Sequence, residues 1–87
     1  MSTADLIRQR LAVLAPETLT LEDESAQHKG HAGAASGGGH FRLTLVSPKF
    51  RNLSTLARHR LVYEAIGELM QREIHALSIT ALTPEEL

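Results

Sequence analysis

The amino-acid sequence predicts a two-layer α+β sandwich in which two helices cover one face of a three-stranded sheet. Two runs carry apolar residues at helical spacing, and three runs alternate polar and apolar residues as half-buried strands do. Their order along the chain is αββαβ, which is typical of a two-layer α+β arrangement. The 87 residues are enough for one small domain, which we predict to span residues 1–87.

The first helix is predicted from its start signal. Ser2 and Asp5 match a capping box, in which a hydroxyl and a carboxylate accept hydrogen bonds from free amides at a helix start. Apolar residues then recur at helical spacing from Leu6 to Leu14. Pro16 marks the end, because the residue before a proline avoids helical backbone angles.

Two alternating runs, residues 18–23 and 40–46, predict the first two strands, and their succession predicts antiparallel pairing. Residues 24–39 connect them and contain five of the six glycines together with His28 and His31. This composition predicts a flexible loop, and connections of such length in small domains are usually functional or disordered.

The second helix is predicted to start at Ser54 or Thr55, whose hydroxyls suit a helix cap. An apolar stripe then runs along it as far as Met70, and this stripe includes His59 and Tyr63. Both residues are therefore expected to be buried, His59 as a packed core histidine hydrogen-bonded to the backbone.

Residues 74–82 alternate again and predict the third strand. His75 has the same strand parity as Leu77, which predicts that it lies on the core-facing side at the end of the strand. The opposite face of the sheet is expected to meet water, because it carries polar side chains. These are Arg42, Thr44, Ser78 and Thr80.

Composition narrows the possible functions. The chain has no cysteine, so it has no disulfide, no thiol nucleophile and no cysteine-based metal site. Its first ten residues contain no long apolar stretch, so we predict no signal peptide or membrane span and a cytoplasmic, soluble protein. Asp23 and Glu24 would face opposite ways in a strand, and no catalytic constellation is recognisable, so we expect no enzyme.

The charge is unevenly distributed, although the net charge is only −1. No Asp or Glu occurs from Ser25 to Tyr63, and this stretch contains six of the nine Lys and Arg residues. A basic middle of this kind either binds an anionic partner or forms part of a mixed, solvated surface. For nucleic acid, the candidate phosphate contacts are Lys49, Arg51, Arg58 and Arg60.

Several short motifs, taken in order, resemble those of the BolA family over nearly the whole chain. They are Asp-Glu-Ser at 23–25, His28, His-Phe-Arg-Leu at 40–43, Arg-His-Arg-Leu-Val-Tyr at 58–63 and Ile-His-Ala-Leu at 74–77. The resemblance implies a fold related to the class II K-homology (KH) fold, often with a short helical turn after the second strand. It also implies two roles: partnership with a monothiol glutaredoxin, and DNA binding in the regulation of stress response and cell morphology.

In the glutaredoxin role, the resemblance implies a bridging 2Fe–2S cluster shared with glutaredoxin and glutathione, and none in the isolated protein. The implied ligands are His75 and His28, with His31 as an alternative loop ligand. Considered without the resemblance, His75 could instead form hydrogen bonds at the rim of the core, and the loop histidines could be solvated. The free protein is expected to be a monomer or a weak homodimer.

Overall fold

The structure is a computed structural model that describes residues 1–25 and 39–87, and its elements follow the predicted order. The helices and strands are α1 (Thr3–Leu11), β1 (Thr18–Asp23), β2 (Gly39–Val46), α2 (Thr55–Ile66), α3 (Leu69–Arg72) and β3 (Ile74–Leu82). Short 3-10 turns occur at Ala12–Leu14, Pro48–Phe50 and Pro84–Glu86. The second of these is the extra helical turn that the resemblance implies after the second strand.

The three strands form one mixed sheet in the order β1-β2-β3. β1 and β2 are antiparallel, as predicted, whereas β2 and β3 are parallel. A parallel pair requires a crossover, and α2 and α3 provide it. Since β2 and β3 run in the same direction, their amino ends meet at the same end of the sheet.

Helix α1 begins as its capping box predicts. The Ser2 hydroxyl accepts a hydrogen bond from the Asp5 amide at 3.1 Å, and the Asp5 carboxylate accepts one from the Ser2 amide at 3.2 Å. These bonds satisfy two amide groups that have no partner within the helix. The prediction of the helix start is therefore confirmed.

An apolar core lies between the helices and one face of the sheet. Its fully buried members come from α1, β2, the turn after β2 and α2, and they are Ile7, Leu11, Leu43, Leu45, Phe50, Val62 and Ile66. On the opposite face Arg42, Ser78 and Thr80 are exposed and Thr44 is half-buried, so the predicted polar sheet face is confirmed. In the described part of the chain, no helix is long and apolar enough to cross a membrane.

Helix α2 turns a different face to the core from the one predicted. Tyr63 is 42% exposed and Leu56 is 60% exposed, whereas His59 is half-buried. The buried face instead runs from Arg58 through Val62 to Ile66, which are four residues apart. The prediction that Tyr63 is buried was wrong. It was based on the apolar residues alone, whereas the buried face of the helix begins with an arginine.

Gly67 ends α2, although the apolar pattern predicts one helix as far as Met70. Its φ of 62° is a left-handed angle that favours glycine, and its amide donates to the Tyr63 carbonyl at 2.8 Å. The chain then forms the separate short helix α3 before β3. Gly67 therefore divides the predicted helix into α2 and α3.

Candidate functional site

Two histidine side chains lie side by side where β2 and β3 begin. His40 is the second residue of β2, and His75 is the second residue of β3. Their ring centres are 5.0 Å apart and the ring planes are inclined by 40°. The parallel pairing of the two strands brings these positions together, although they are far apart in the sequence.

A β-bulge determines where the His75 side chain lies. Gly39 pairs with Ile74, but His40 pairs with Ala76, so His75 is an extra residue in the ladder. Ile74 occupies the core position and is only 4% exposed, while His75 is exposed. The prediction that His75 faces the core was wrong, because strand parity assumes an unbroken ladder and a bulge re-aims the side chain.

The backbone of His40 is anchored by the Asp-Glu-Ser motif. The Ser25 hydroxyl accepts a hydrogen bond from the His40 amide at 3.0 Å, and the Glu24 amide donates to the His40 carbonyl at 2.7 Å. Hydrogen bonds from the hydroxyl and the amide of Ser25 lower the pKa of the Asp23 carboxyl. The motif therefore ties the end of β1 to the start of β2, next to the histidine pair.

Gly39 is required by close packing at the same place. A Cβ atom on Gly39 would lie 2.5 Å from the ring of the buried Phe41, closer than real Cβ contacts. The Gly39 amide also donates to the Glu73 carbonyl at 3.1 Å, which joins the start of β2 to the residue before β3, beside the bulge. A side chain here would push on Phe41 and disturb the segment that holds His40 and His75.

The two predicted loop ligands, His28 and His31, lie outside the described residues, as does most of the predicted flexible loop at 24–39. Within residues 1–25 and 39–87, no group of three or more His, Asp or Glu side chains is arranged to hold a metal ion. The described part of the site is therefore the His40–His75 pair.

Sequence reasoning did not select His40 as a site residue. It falls in the alternating pattern of β2, where a polar residue at the start of a strand needs no special explanation. The signal that could have found it is parallel pairing of β2 with β3, since each strand has a histidine at its start. Pairing direction was not predicted for β3.

Arg58, a candidate phosphate contact, holds two segments of the chain together. Its guanidinium donates to the Leu53 and Ala81 carbonyls, each at 3.0 Å, and to the Glu86 carboxylate at 2.6 Å. The side chain is only 12% exposed. All of these contacts are internal, so Arg58 stabilises the turn after β3.

The other three candidate phosphate contacts are exposed. The Arg51 guanidinium makes a two-point contact with the Glu85 carboxylate, with Nε to Oε1 at 2.9 Å, and this pairing raises the pKa of Arg51. Lys49 and Arg60 form no ion pair with any residue in the described ranges. Lys49 and Arg60 are therefore the most accessible positive charges of the set.

The fold and the site together define a small α+β protein with two histidines at one end of a mixed sheet. A family model described as BolA-like protein matches residues 11–86. The chain belongs to this BolA-like family, which confirms the resemblance seen in the motifs.

Individual relatives agree with this assignment. BolA-like protein 1 of Mus musculus is 46% identical over 81 residues, which are 92% of this chain and 57% of the mouse protein. A protein of Haemophilus influenzae named DNA-binding transcriptional regulator BolA is 34% identical, with 99% of this chain and 82% of that protein covered. The chain thus spans little more than half the length of the mouse relative.

Solved structures show the same fold. BolA1 from Arabidopsis thaliana superposes with a TM-score of 0.86 at 38% identity, covering 100% of this chain and 97% of that one. The three-stranded α+β architecture predicted from the sequence is therefore confirmed.

Proposed function

We propose that this chain is a cytoplasmic, non-enzymatic adaptor that binds a monothiol glutaredoxin and shares a bridging 2Fe–2S cluster with it and glutathione. The role would be iron–sulfur trafficking, or the sensing of iron or stress. The observation that carries the proposal is the exposed His75, placed by the bulge at the edge of the site.

The chemistry of the available donors supports this assignment. The chain has no cysteine, so it can offer no thiolate to a 2Fe–2S cluster, and histidine is the side chain known to take the place of thiolate there. Imidazole nitrogen replaces thiolate on one iron of some 2Fe–2S centres, and this raises the reduction potential. The exposed imidazole of His75 fits the group and would be one ligand, with His28, or alternatively His31, as the second. When bound, the cluster would supply visible absorption and one-electron chemistry.

Accessibility distinguishes His75 from the other histidines that the structure describes. His59 and His40 are half-buried, whereas His75 is exposed, and so is its neighbour Ala76. A cluster carried on a partner protein must approach from outside, so the exposed imidazole is the one it can reach. The adjacent strand pairing restricts the backbone of His75, which reduces the conformational entropy lost when a ligand bond forms.

Replacing His75 with alanine should prevent normal cluster sharing. The chain would be mixed with a cluster-loaded monothiol glutaredoxin and glutathione, and the visible absorption and circular dichroism would be recorded. We expect the wild-type chain to change both spectra and His75→Ala to leave them close to those of the glutaredoxin alone. Native mass spectrometry would measure complex formation separately.

His59→Ala is the matched control, because it removes a half-buried histidine that belongs to α2 and to neither of the strands that carry His40 and His75. It should behave like the wild type. His28→Ala and His31→Ala, tested one at a time, would identify the loop ligand. A His75→Ala spectrum identical to that of the wild-type complex would rule out His75 as a ligand.

We also propose DNA binding as a second candidate function, since Lys49 and Arg60 are exposed and Arg51 has only a surface ion pair. Solvent and salt screen an exposed pair of this kind, so a phosphate could compete with Glu85 for Arg51. The Haemophilus relative carries the name of a DNA-binding regulator. Arg58 would support this surface indirectly through its internal contacts.

If Lys49 and Arg60 contact phosphate, replacing either with alanine should lower the salt dependence of duplex DNA binding. Each lost contact should reduce the slope of log affinity against log salt by about 1, because fewer counterions are released. The matched control is Arg8→Ala, an exposed arginine on α1. Two outcomes would show only a general charge effect and contradict this function. One is an equal slope of log affinity against log salt for all three variants, and the other is binding that disappears at physiological salt.

A further inference from the structure

We infer that His40 and His75 form a two-imidazole site that binds a divalent cation of the zinc type in the isolated chain. This inference shares His75 with the proposed adaptor function but requires neither glutaredoxin nor a cluster. The site consists only of described residues.

The separation of the two rings fits a shared ion. Zinc binds histidine nitrogen at about 2.0–2.1 Å and prefers tetrahedral angles, which together place two imidazole centres about 5 Å apart. The observed separation between the ring centres of His40 and His75 is 5.0 Å. The spacing of the two rings therefore matches that of a shared ion bound to one nitrogen of each ring.

Backbone contacts hold both histidines in place. Ser25 and Glu24 hold the amide and the carbonyl of His40, and the bulge fixes His75 beside it. The two histidines lie on different strands of one sheet, and the pairs Gly39–Ile74 and His40–Ala76 hold the backbone on both sides of His75. A pair held in this way loses little conformational freedom when it binds a metal.

The surroundings leave the remaining coordination positions to water or to a partner. His75 and Ala76 are exposed, so one side of the pair is open to solvent. The nearby Glu73 carboxylate accepts a hydrogen bond from the Thr3 hydroxyl at 3.1 Å and belongs to the contact between α1 and the end of α3. An open coordination sphere of this kind suits exchangeable binding rather than a closed structural zinc site.

The test is a zinc titration of the full chain. Binding would be monitored by NMR of the histidine ring protons and, separately, by isothermal titration calorimetry. We expect the signals of His40 and His75 to shift together and to saturate at one ion per chain, while those of His59 stay in place. Affinity should fall on acidification, because protons compete for the same nitrogens.

Substitution of single histidines would show which of them bind the zinc ion. His75→Gln should weaken zinc binding at least about tenfold, the lower end of the loss caused even by removing an outer-shell partner of a metal site. His40→Gln should do the same, and its amide spectrum would show whether the fold is retained. His59→Gln is the control and should bind like the wild type.

A chain with both His28→Gln and His31→Gln identifies the site unambiguously. Zinc affinity retained in this variant, and lost when His75→Gln is added, supports the pair. The inference would be overturned if the double variant already failed to bind zinc. It would also be overturned if the NMR signals of His40 and His75 reached saturation at different zinc concentrations. Cluster sharing that persists without zinc binding would contradict only this inference, whereas zinc binding without cluster sharing would contradict only the adaptor function.

Discussion

Replacing Arg58 with alanine should destabilise the folded chain by about 2–4 kcal/mol, since it removes hydrogen bonds made by a charged group and leaves carbonyl groups without their partner. The lost contacts are those to Leu53, Ala81 and Glu86, which join the start of α2 to the turn after β3. Chemical denaturation followed by far-ultraviolet circular dichroism would measure the change.

Two controls separate charge from geometry. Arg58→Lys keeps the charge but has no planar group that can bond to all three partners. Its stability should therefore lie between that of the alanine variant and that of the wild type. Arg60→Ala removes an exposed arginine two positions away and should change stability by no more than about 0.5 kcal/mol. An Arg58→Ala variant as stable as the wild type would show that these contacts do not stabilise the fold. Arg58 would then again be a candidate contact for phosphate.

The acid response of the same variant gives a second readout. Hydrogen bonds from Arg58 and from the Thr83 amide lower the pKa of Glu86 from 4.5 to about 2 in the folded state. Because the folded-state value is the lower one, the stabilisation is fully present above about pH 4.5 and is lost as the pH falls toward 2. Stability should therefore fall less steeply across this range in Arg58→Ala than in the wild type.

Replacing Phe50 with alanine should cost about 3–5 kcal/mol, the usual range for deleting a buried aromatic ring. Phe50 is fully buried at the end of the 3-10 turn Pro48–Phe50, and it packs in the core beneath α2 and the sheet. A domain of this size has a total stability of about 5–15 kcal/mol, so the substitution should remove a large share of it and lower the melting temperature. Thermal denaturation would measure the loss.

The position of Phe50 makes this variant informative about function. Its ring anchors the turn that carries Lys49 and precedes Arg51, and the Ser47 hydroxyl secures the same turn by accepting from the Lys49 amide at 3.1 Å. Phe50→Leu should keep most of the stability, and Leu56→Ala, at an exposed apolar position, should change it little. Equal losses for Phe50→Ala and Leu56→Ala would contradict the burial of the ring.

Much of the fold could be predicted because its signals are local. The strand limits at 18–23 and 74–82, and the caps at Ser2 and Ser54, depend on side-chain alternation and on hydroxyl groups that bond to nearby amides. The structure has the same limits and the same caps. The orientation of α2 could not be predicted in this way, because Arg58 has its burial compensated by hydrogen-bond partners that are distant in sequence.

The candidate site was only partly predictable for the same reason. His75 was selected from its motif, but its exposure depends on a bulge in the pairing with β2. His40 was not selected, since its proximity to His75 exists only when β2 and β3 are parallel. The basic residues were selected as one set, yet the structure assigns Arg58 to internal contacts and leaves Lys49 and Arg60 exposed.

The amino-acid sequence by itself determined the order of the strands and main helices, the absence of thiol chemistry and the motifs that the chain shares with its family. It also predicted histidine as the ligand side chain. For the histidines that the structure describes, the tertiary structure alone decided which lie together and which of them solvent can reach. The physical reason is that alternation, capping and composition act over a few residues. Strand direction, a bulge and the burial of a charged group depend on partners elsewhere in the chain.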